Sequence, residues 1–115
     1  MSTEDVVQAF LKDFKIKMNL WGILIRDDRS KNTQTLINLE ISRKDRDEIL
    51  QALEVKDYCE GPLKEVLYNG ADMWVFGKMI KGKEVYIKIT LGIPGSNVIC
   101  ISFHIADHAM NYPLK

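Results

Sequence analysis

Few cysteines, no long apolar run and no excess of either charge mark this sequence, and each absence removes a class of protein. Its only two cysteines, Cys59 and Cys100, lie far apart, so neither a disulfide framework nor a cysteine metal cluster is expected. No apolar stretch approaches the length of a membrane span, and no cationic start leads into an apolar leader. We therefore expect a cytoplasmic protein with reduced thiols and no membrane contact.

The charge balance also limits the partners. Sixteen basic residues balance sixteen acidic ones, so the field of the whole molecule does not draw it onto nucleic acid. The distribution is uneven, because residues 78–88 hold four lysines and one glutamate. An anionic ligand is expected to bind that local patch.

The length of the chain predicts one domain covering residues 1–115. A chain of 115 residues buries one core and needs neither a disulfide nor a metal for stability. It has no internal repeat and no linker rich in Pro, Gly or Ser. It also lacks a phosphate-binding glycine loop, zinc-finger spacing and a nucleophile elbow.

The N-terminal half has mostly helical patterns. Apolar residues at helical spacing predict a helix over 4–18, and a second helix over 43–53 follows a capping serine. The apolar stretch 21–25 predicts a short strand, whereas 33–40 fits either a helix or a strand. Residues 57–69 contain Gly-Pro and predict an irregular connection.

The C-terminal half changes to alternating apolar and polar residues. This pattern predicts strands over 73–80, 84–91 and 98–105, with a tight turn at Lys81–Gly82. If the turn has two residues, Gly77 lies opposite Tyr86 and Val75 lies opposite Lys88. Three sequential strands with short connections form an antiparallel meander. Helices followed by a sheet predict an α+β fold in which the N-terminal helices pack on the meander.

Alternation assigns the side chains of this sheet to two faces. The core face is expected to hold seven apolar residues together with Trp74 and Phe76: Val85, Ile87, Ile89, Ile99, Ile101, Phe103 and Ile105. The opposite, more open face is expected to hold the remaining residues of the two last strands: Tyr86, Lys88, Thr90, Cys100, Ser102 and His104.

The mixture of Tyr86, Lys88 and His104 on adjacent strands suits phosphodiester cleavage. Attack by a ribose 2′-hydroxyl needs a base, an acid for the leaving oxygen and positive charge at the phosphate. Histidine can fill either proton-transfer role. Polar residues also point outward from any half-solvated antiparallel sheet, so the pattern is equally consistent with an ordinary surface.

Several of these segments resemble the MqsR family of bacterial toxins, which are messenger-RNA interferases of the wider RelE-like fold paired with an antitoxin. The resemblance rests on DYCEGP (57–62), GADMWVFGKMIKGKEVYIKITLG (70–92) and VICISFH (98–104). Its most specific elements are Trp74, the sequence YIKI starting at Tyr86, and the sequence SFH ending at His104. It covers the C-terminal half well and the N-terminal half only in general helical pattern.

The resemblance implies a RelE-like sheet packed by helices and metal-independent cleavage of messenger RNA without a cofactor. It also implies growth arrest unless a protein antitoxin binds, with DNA contacted only through that antitoxin. Tyr86 matches the active-site tyrosine of the family, and His104 matches the position of a catalytic lysine. Two positions depart from the pattern, because Val75 replaces a glutamine and Glu60 replaces a lysine.

Because of these departures, another lysine has to contact the phosphate, and Lys78 and Lys88 are the candidates. We predict Tyr86, His104 and Lys88 as catalytic residues. Four further residues are predicted to contact RNA: Lys78, Lys81, Lys83 and Ser102.

Two other functions stay open at this stage. One is a non-catalytic protein of the same fold that acts through binding or regulation, which the two departures favour. The other is a metal-dependent hydrolase, for which His104 and His108 lie four residues apart with Asp107 between them. Trp74 and Phe76 could stack on bases, although core packing is favoured. The charged run 26–29 is expected to be a solvated loop.

Overall fold

The computed structural model of the protein describes residues 2–64 and 71–115 as an α+β fold, as predicted from the sequence. The described helices are α1 (Glu4–Trp21), α2 (Ser30–Leu39) and α3 (Arg43–Gln51), with a 3-10 turn at Val55–Asp57. The strands are β1 (Ile23–Ile25), β2 (Tyr58–Leu63), β3 (Met73–Ile80), β4 (Lys83–Thr90) and β5 (Val98–Ile105). No helix among these residues is long and apolar enough to cross a bilayer.

The five strands form one mixed sheet in the order β1-β5-β4-β3-β2. β3, β4 and β5 pair antiparallel and confirm the predicted meander, whereas β1 pairs parallel to β5. The β3–β4 connection is the expected two-residue turn. Lys81 and Gly82 both have positive φ, 51° and 80°, which matches the twist of the flanking strands. The turn sets the register that pairs Gly77 with Tyr86 and Val75 with Lys88.

α1 covers the core face of the sheet with a stripe of aromatic and aliphatic side chains. Phe10 stacks on Trp74 with ring centroids 4.6 Å apart, and it lies 6.1 Å from Phe76. Such pairs add roughly 0.5–1.5 kcal/mol beyond the area they bury. Trp74 and Phe76 are buried, so they belong to the core and are not a surface for stacking bases.

In the N-terminal half, two element boundaries differ from the prediction and one open assignment is decided. Trp21 is the last residue of α1 and not the start of a strand, because the chain turns at Gly22 with φ +80° before β1. The ambiguous segment 33–40 lies mostly in a helix, α2. α3 ends at Gln51, two residues early, where the backbone N–H of Ala52 caps its carbonyls.

The prediction of an irregular connection over 57–69 is wrong for its first part. Residues Tyr58–Leu63 form β2, which pairs with β3 through two register shifts. Such an irregular edge strand tolerates the Gly61–Pro62 pair that suggested a loop. Residues 65–70, the rest of that predicted connection, lie outside the described residues.

The predicted face is wrong for three residues of β5, because this strand contains a bulge. Lys88 pairs with Ser102 but Ile89 pairs with Cys100, so Ile101 is an extra residue in β5. Beyond the bulge Cys100 joins the core cluster, whereas Ile99 and Ile101 are buried outside it. On the other side of the bulge, Phe103 keeps its predicted core position.

The charged run 26–29 is the predicted loop, between β1 and α2, but it is only partly solvated because two of its four residues have buried partners. Asp27 accepts two hydrogen bonds from the guanidinium of Arg46, at 2.9 and 3.3 Å, and the Arg46 side chain is only 2% exposed. Arg29 donates to β5. Arg26 and Asp28 form the exposed ion pair of this run.

The pairing of β1 with β5 ends at Cys100, and the side chain of Asn32 bonds the next part of β5. Its side-chain amide donates to the carbonyl of Ile101 at 3.0 Å, and its Oδ1 accepts from the N–H of Phe103 at 3.0 Å. The buried side-chain amide of Asn32 therefore satisfies backbone groups of β5 that a neighbouring strand would otherwise bond. It anchors the first turn of α2 beside the outer face of β5.

The C-terminal segment 106–115 crosses part of the outer face. Glu84 accepts from the N–H of Met110 at 3.0 Å and from the Tyr112 hydroxyl at 2.7 Å. The ring of Tyr112 lies over Gly77, where an added Cβ would lie 2.8 Å from its Cε1. The missing side chain of Gly77 thus makes room for this segment.

We expect Gly77→Ala to destabilise the protein by about 1–3 kcal/mol, because the new methyl group overlaps the Tyr112 ring. Chemical denaturation measures the change in the free energy of unfolding. The same substitution in a Tyr112→Ala background serves as the control and should cost much less. If Gly77→Ala lowered the free energy of unfolding equally in both backgrounds, the Tyr112 ring would not be the reason for glycine at position 77.

Candidate functional site

Two neighbouring rows of side chains on the outer face form the centre of the candidate site. Strand pairing places Tyr86 opposite His104 and Lys88 opposite Ser102. Directly opposed residues have Cβ atoms about 5 Å apart. The structure therefore brings together Tyr86, Lys88, Ser102 and His104, as the alternation predicted.

These rows form the floor of an open groove of about 830 Å³. The first turn of α2 borders it on one side and residues 59–60 of β2 border it on the other. Residues 106–111 form part of its wall, and the exposed ion pair of Lys31 with Asp107, at 3.2 Å, links that wall to α2. Several elements besides β4 and β5 therefore line the groove.

The rings of Tyr86 and His104 stack with centroids 5.1 Å apart and an interplanar angle of 13°. Nδ1 of His104 lies 3.0 Å from the carbonyl oxygen of Ile105. A carbonyl only accepts, so Nδ1 carries a proton, and the tautomer leaves the lone pair of the neutral ring on Nε2. The second nitrogen has no hydrogen-bond partner among the described residues and is available for proton transfer.

The Tyr86 phenol is held in its neutral form. Burial raises the pKa of Tyr86, the negative charge of Glu60 raises it further, and Arg29 opposes them. A neutral phenol donates one hydrogen bond and accepts others. Tyr86 can therefore donate to a phosphate oxygen but does not supply a phenolate base near neutral pH.

Lys88 is the predicted lysine that the structure places in the groove. Its ammonium lies 6.0 Å from the centre of the Tyr86 ring. It forms no ion pair with any carboxylate of residues 2–64 and 71–115. Its charge is therefore available to an anion bound beside Tyr86.

The other predicted RNA contacts are more scattered. Lys78 lies outside the groove and pairs with Asp57 at 3.2 Å, while Lys81 at the hairpin turn donates to the carbonyl of Glu40 at 3.0 Å. Lys83 is exposed at the same end of the hairpin. Ser102 does line the groove, but it is only 4% exposed and its hydroxyl accepts from Arg29 at 3.2 Å. Buried Ser102 thus holds a neighbour in place and is not on the open surface.

Val75 and Glu60, the two departures from the toxin pattern, both line the groove. Val75 is 1% exposed and offers no polar group, whereas Glu60 is exposed at the rim. The sides of the groove therefore differ in charge, with a carboxylate on β2 and cations on β4 and at the start of α2. Sequence reasoning placed Val75 opposite Lys88, but it assigned Glu60 to an irregular connection and so did not place it at the groove.

Arg29 is the site residue that sequence reasoning missed. It lies 73 positions from its partner Ser102, so no local spacing could indicate the contact. The signal that could have found it is the parallel pairing of β1 with β5. That pairing carries the residues after Ile25 alongside the outer part of β5.

The described residues contain no group of three or more metal-binding side chains. His104 belongs to the outer row of β5, and His108 is exposed on the segment that follows. Burial raises the pKa of Cys59 in the groove wall to about 12, so its thiol stays protonated and is a poor nucleophile. The chemistry offered by the groove is proton transfer and anion binding.

Comparisons of the chain with protein-family models, curated proteins and solved structures found no match.

Proposed function

We propose that this protein is a cytoplasmic RelE-like toxin that cuts messenger RNA without a metal ion and is silenced by a protein antitoxin. The observation that carries the proposal is the stacked Tyr86–His104 pair with Lys88 beside it in an open groove. A proton-transfer group, a hydroxyl donor and a cation are the parts that cleavage by a ribose 2′-hydroxyl requires. The resemblance of the C-terminal segments to the MqsR family supports the same reaction.

In this reaction the 2′-oxygen of the ribose attacks the adjacent phosphorus, and the bond from phosphorus to the 5′-oxygen breaks. A base takes the proton of the 2′-hydroxyl, and an acid returns a proton to the leaving 5′-oxygen. The products are a 2′,3′-cyclic phosphate and a 5′-hydroxyl, and no water or metal is consumed. Nε2 of His104 performs one of the two proton transfers.

The neighbouring groups act on the charge of the phosphate. The Tyr86 hydroxyl donates to a phosphate oxygen and orients it, because this phenol stays neutral. Lys88 neutralises the charge that builds up on the phosphate, in place of the paired Lys78. Lys81 and Lys83 would contact RNA only beyond the groove, near the hairpin turn.

Induced expression in bacteria tests this function, alone and together with the neighbouring small gene. We expect growth arrest and loss of messenger RNA on expression alone, and relief of both by a neighbour that co-elutes with the protein as a stable complex. A neutral toxin needs such a defined surface contact because its overall charge provides no attraction. Normal growth with intact messenger RNA at high expression would contradict the proposal.

A second candidate is a protein of the same fold that binds RNA or protein without cleaving. Val75 and Glu60 favour it, because one is apolar and the other carries a negative charge that repels phosphate. It predicts that the purified protein binds RNA and leaves it uncut. Cleavage by the wild-type protein that is lost on substitution of His104 would exclude it.

A further inference from the structure

Besides Lys88, the groove has a second cation that forms no ion pair with any described residue, Arg29. The chain turns sharply after β1, with the Arg29 N–H donating to the Arg26 carbonyl at 3.1 Å, and α2 begins at the next residue. Asn32 fixes this first turn to the backbone of β5. The position of Arg29 at the groove is thus set by two backbone attachments.

The guanidinium of Arg29 is held by only one of its nitrogens. Nη1 donates to the carbonyl of Ile101 at 3.1 Å and to the hydroxyl of Ser102 at 3.2 Å. Nε and Nη2 have no hydrogen-bond partner within the described part of the chain. Arg29 also has no ion pair there, although three other arginine and lysine side chains near α2 do: Arg26, Lys31 and Arg46.

The strand register places both Arg29 and Lys88 beside Ser102. Ser102, which Arg29 contacts, lies directly opposite Lys88 in the β4–β5 pairing. The row of Tyr86 and His104 is the next one along the same face. Both cations therefore border the stacked pair, and Arg29 is close enough to Tyr86 to oppose the rise in the pKa of that phenol.

We propose that Arg29 is a phosphate-binding residue of the groove, holding a backbone phosphate of the bound RNA through Nε and Nη2. Arginine presents its donors in a planar fork that matches two phosphate oxygens. Ser102 is then a positioning residue, which orients the guanidinium through its hydroxyl. This inference rests on the proposed RNA substrate. Arg29 supplies the phosphate contact that the side chains of Val75 and Glu60 cannot make.

The test is the salt dependence of binding to a single-stranded RNA that is 2′-O-methylated throughout and so cannot be cut. Fluorescence anisotropy compares the wild type with Arg29→Gln, Arg29→Lys and a matched control, Arg43→Gln, on the exposed start of α3. Arg29→Gln should weaken binding about tenfold and reduce the slope of log affinity against log salt by about 0.7, the value for one phosphate contact on a single strand. Arg29→Lys should keep most of the slope, because the charge remains.

Three outcomes would overturn the inference, and they separate it from the proposed function. A folded Arg29→Gln protein with wild-type affinity and slope would remove Arg29 from RNA binding and leave the proposed function standing. An equal loss in Arg43→Gln would show a general charge effect in place of a specific contact. Absence of binding by the wild type would overturn both the Arg29 contact and the RNA substrate.

Discussion

We expect His104→Ala to lower RNA cleavage about a hundredfold or more, because general acid–base catalysis by a positioned side chain is typically worth at least that factor. His104 lines the groove, and the proton-transfer nitrogen removed is Nε2, since Nδ1 bonds the carbonyl of Ile105. The melting temperature should change little, since His104 is only partly buried. Single-turnover cleavage and thermal melting are measured on the same preparation.

His108→Ala is the matched control for this prediction. His108 is exposed and follows β5 by three residues, so cleavage should remain at the wild-type rate. A loss in both variants, with recovery on adding zinc, would instead favour the metal-dependent hydrolase. Full activity in folded His104→Ala protein would remove this residue from the mechanism.

Tyr86→Phe belongs to the same experiment and should have a smaller effect. The phenylalanine ring retains the stack on His104 and loses only the hydroxyl that orients the phosphate. A loss of about tenfold is expected for one hydrogen bond to a charged group. A loss equal to that of His104→Ala would make the hydroxyl part of the proton transfer.

Asp27→Ala destabilises the fold by about 3 kcal/mol, because it leaves the buried guanidinium of Arg46 without its counter-charge. The Arg46 side chain is 2% exposed, and its Nε has no hydrogen-bond partner among residues 2–64 and 71–115. Breaking a buried pair costs more than removing both charges, since the remaining ion keeps its desolvation penalty. A loss of about 10 °C in melting temperature is expected for a domain of this size.

Two variants complete the experiment on Asp27. Asp28→Ala breaks the exposed pair with Arg26 in the same turn, and it should barely change the melting temperature. Asp27→Ala combined with Arg46→Met should be more stable than Asp27→Ala alone, because no charge is then buried. Equal melting temperatures for Asp27→Ala and Asp28→Ala would contradict the importance of the buried pair.

The sequence was most informative where local pattern decides structure. Strict alternation and the Lys81–Gly82 turn were enough to predict the register that opposes Val75 to Lys88, because a two-residue turn leaves one pairing. The face of Tyr86 follows from that register, and the face of His104 follows from the alternation along the C-terminal part of β5. The core positions of Trp74 and Phe76 follow from the register as well.

Features that depend on contacts distant in sequence could not be predicted in this way. The bulge at Ile101 replaces one buried residue by another, so the apolar pattern of β5 gives no sign of it. β2 was missed because Gly61–Pro62 indicates a turn and its pairing with β3 is irregular. Asp27 and Arg29 looked like surface charges, since their partners Arg46 and Ser102 are supplied by other elements.

The chemistry of the RNA ends produced by the purified protein tests the central claim most directly. Single-stranded RNA is incubated with the wild type and with His104→Ala in the presence of a chelator, and the termini of the products are identified. Attack by the 2′-hydroxyl predicts 2′,3′-cyclic phosphate and 5′-hydroxyl ends, undiminished by the chelator and nearly absent with His104→Ala. Intact RNA, or 5′-phosphate ends that disappear with the chelator, would contradict the proposed mechanism.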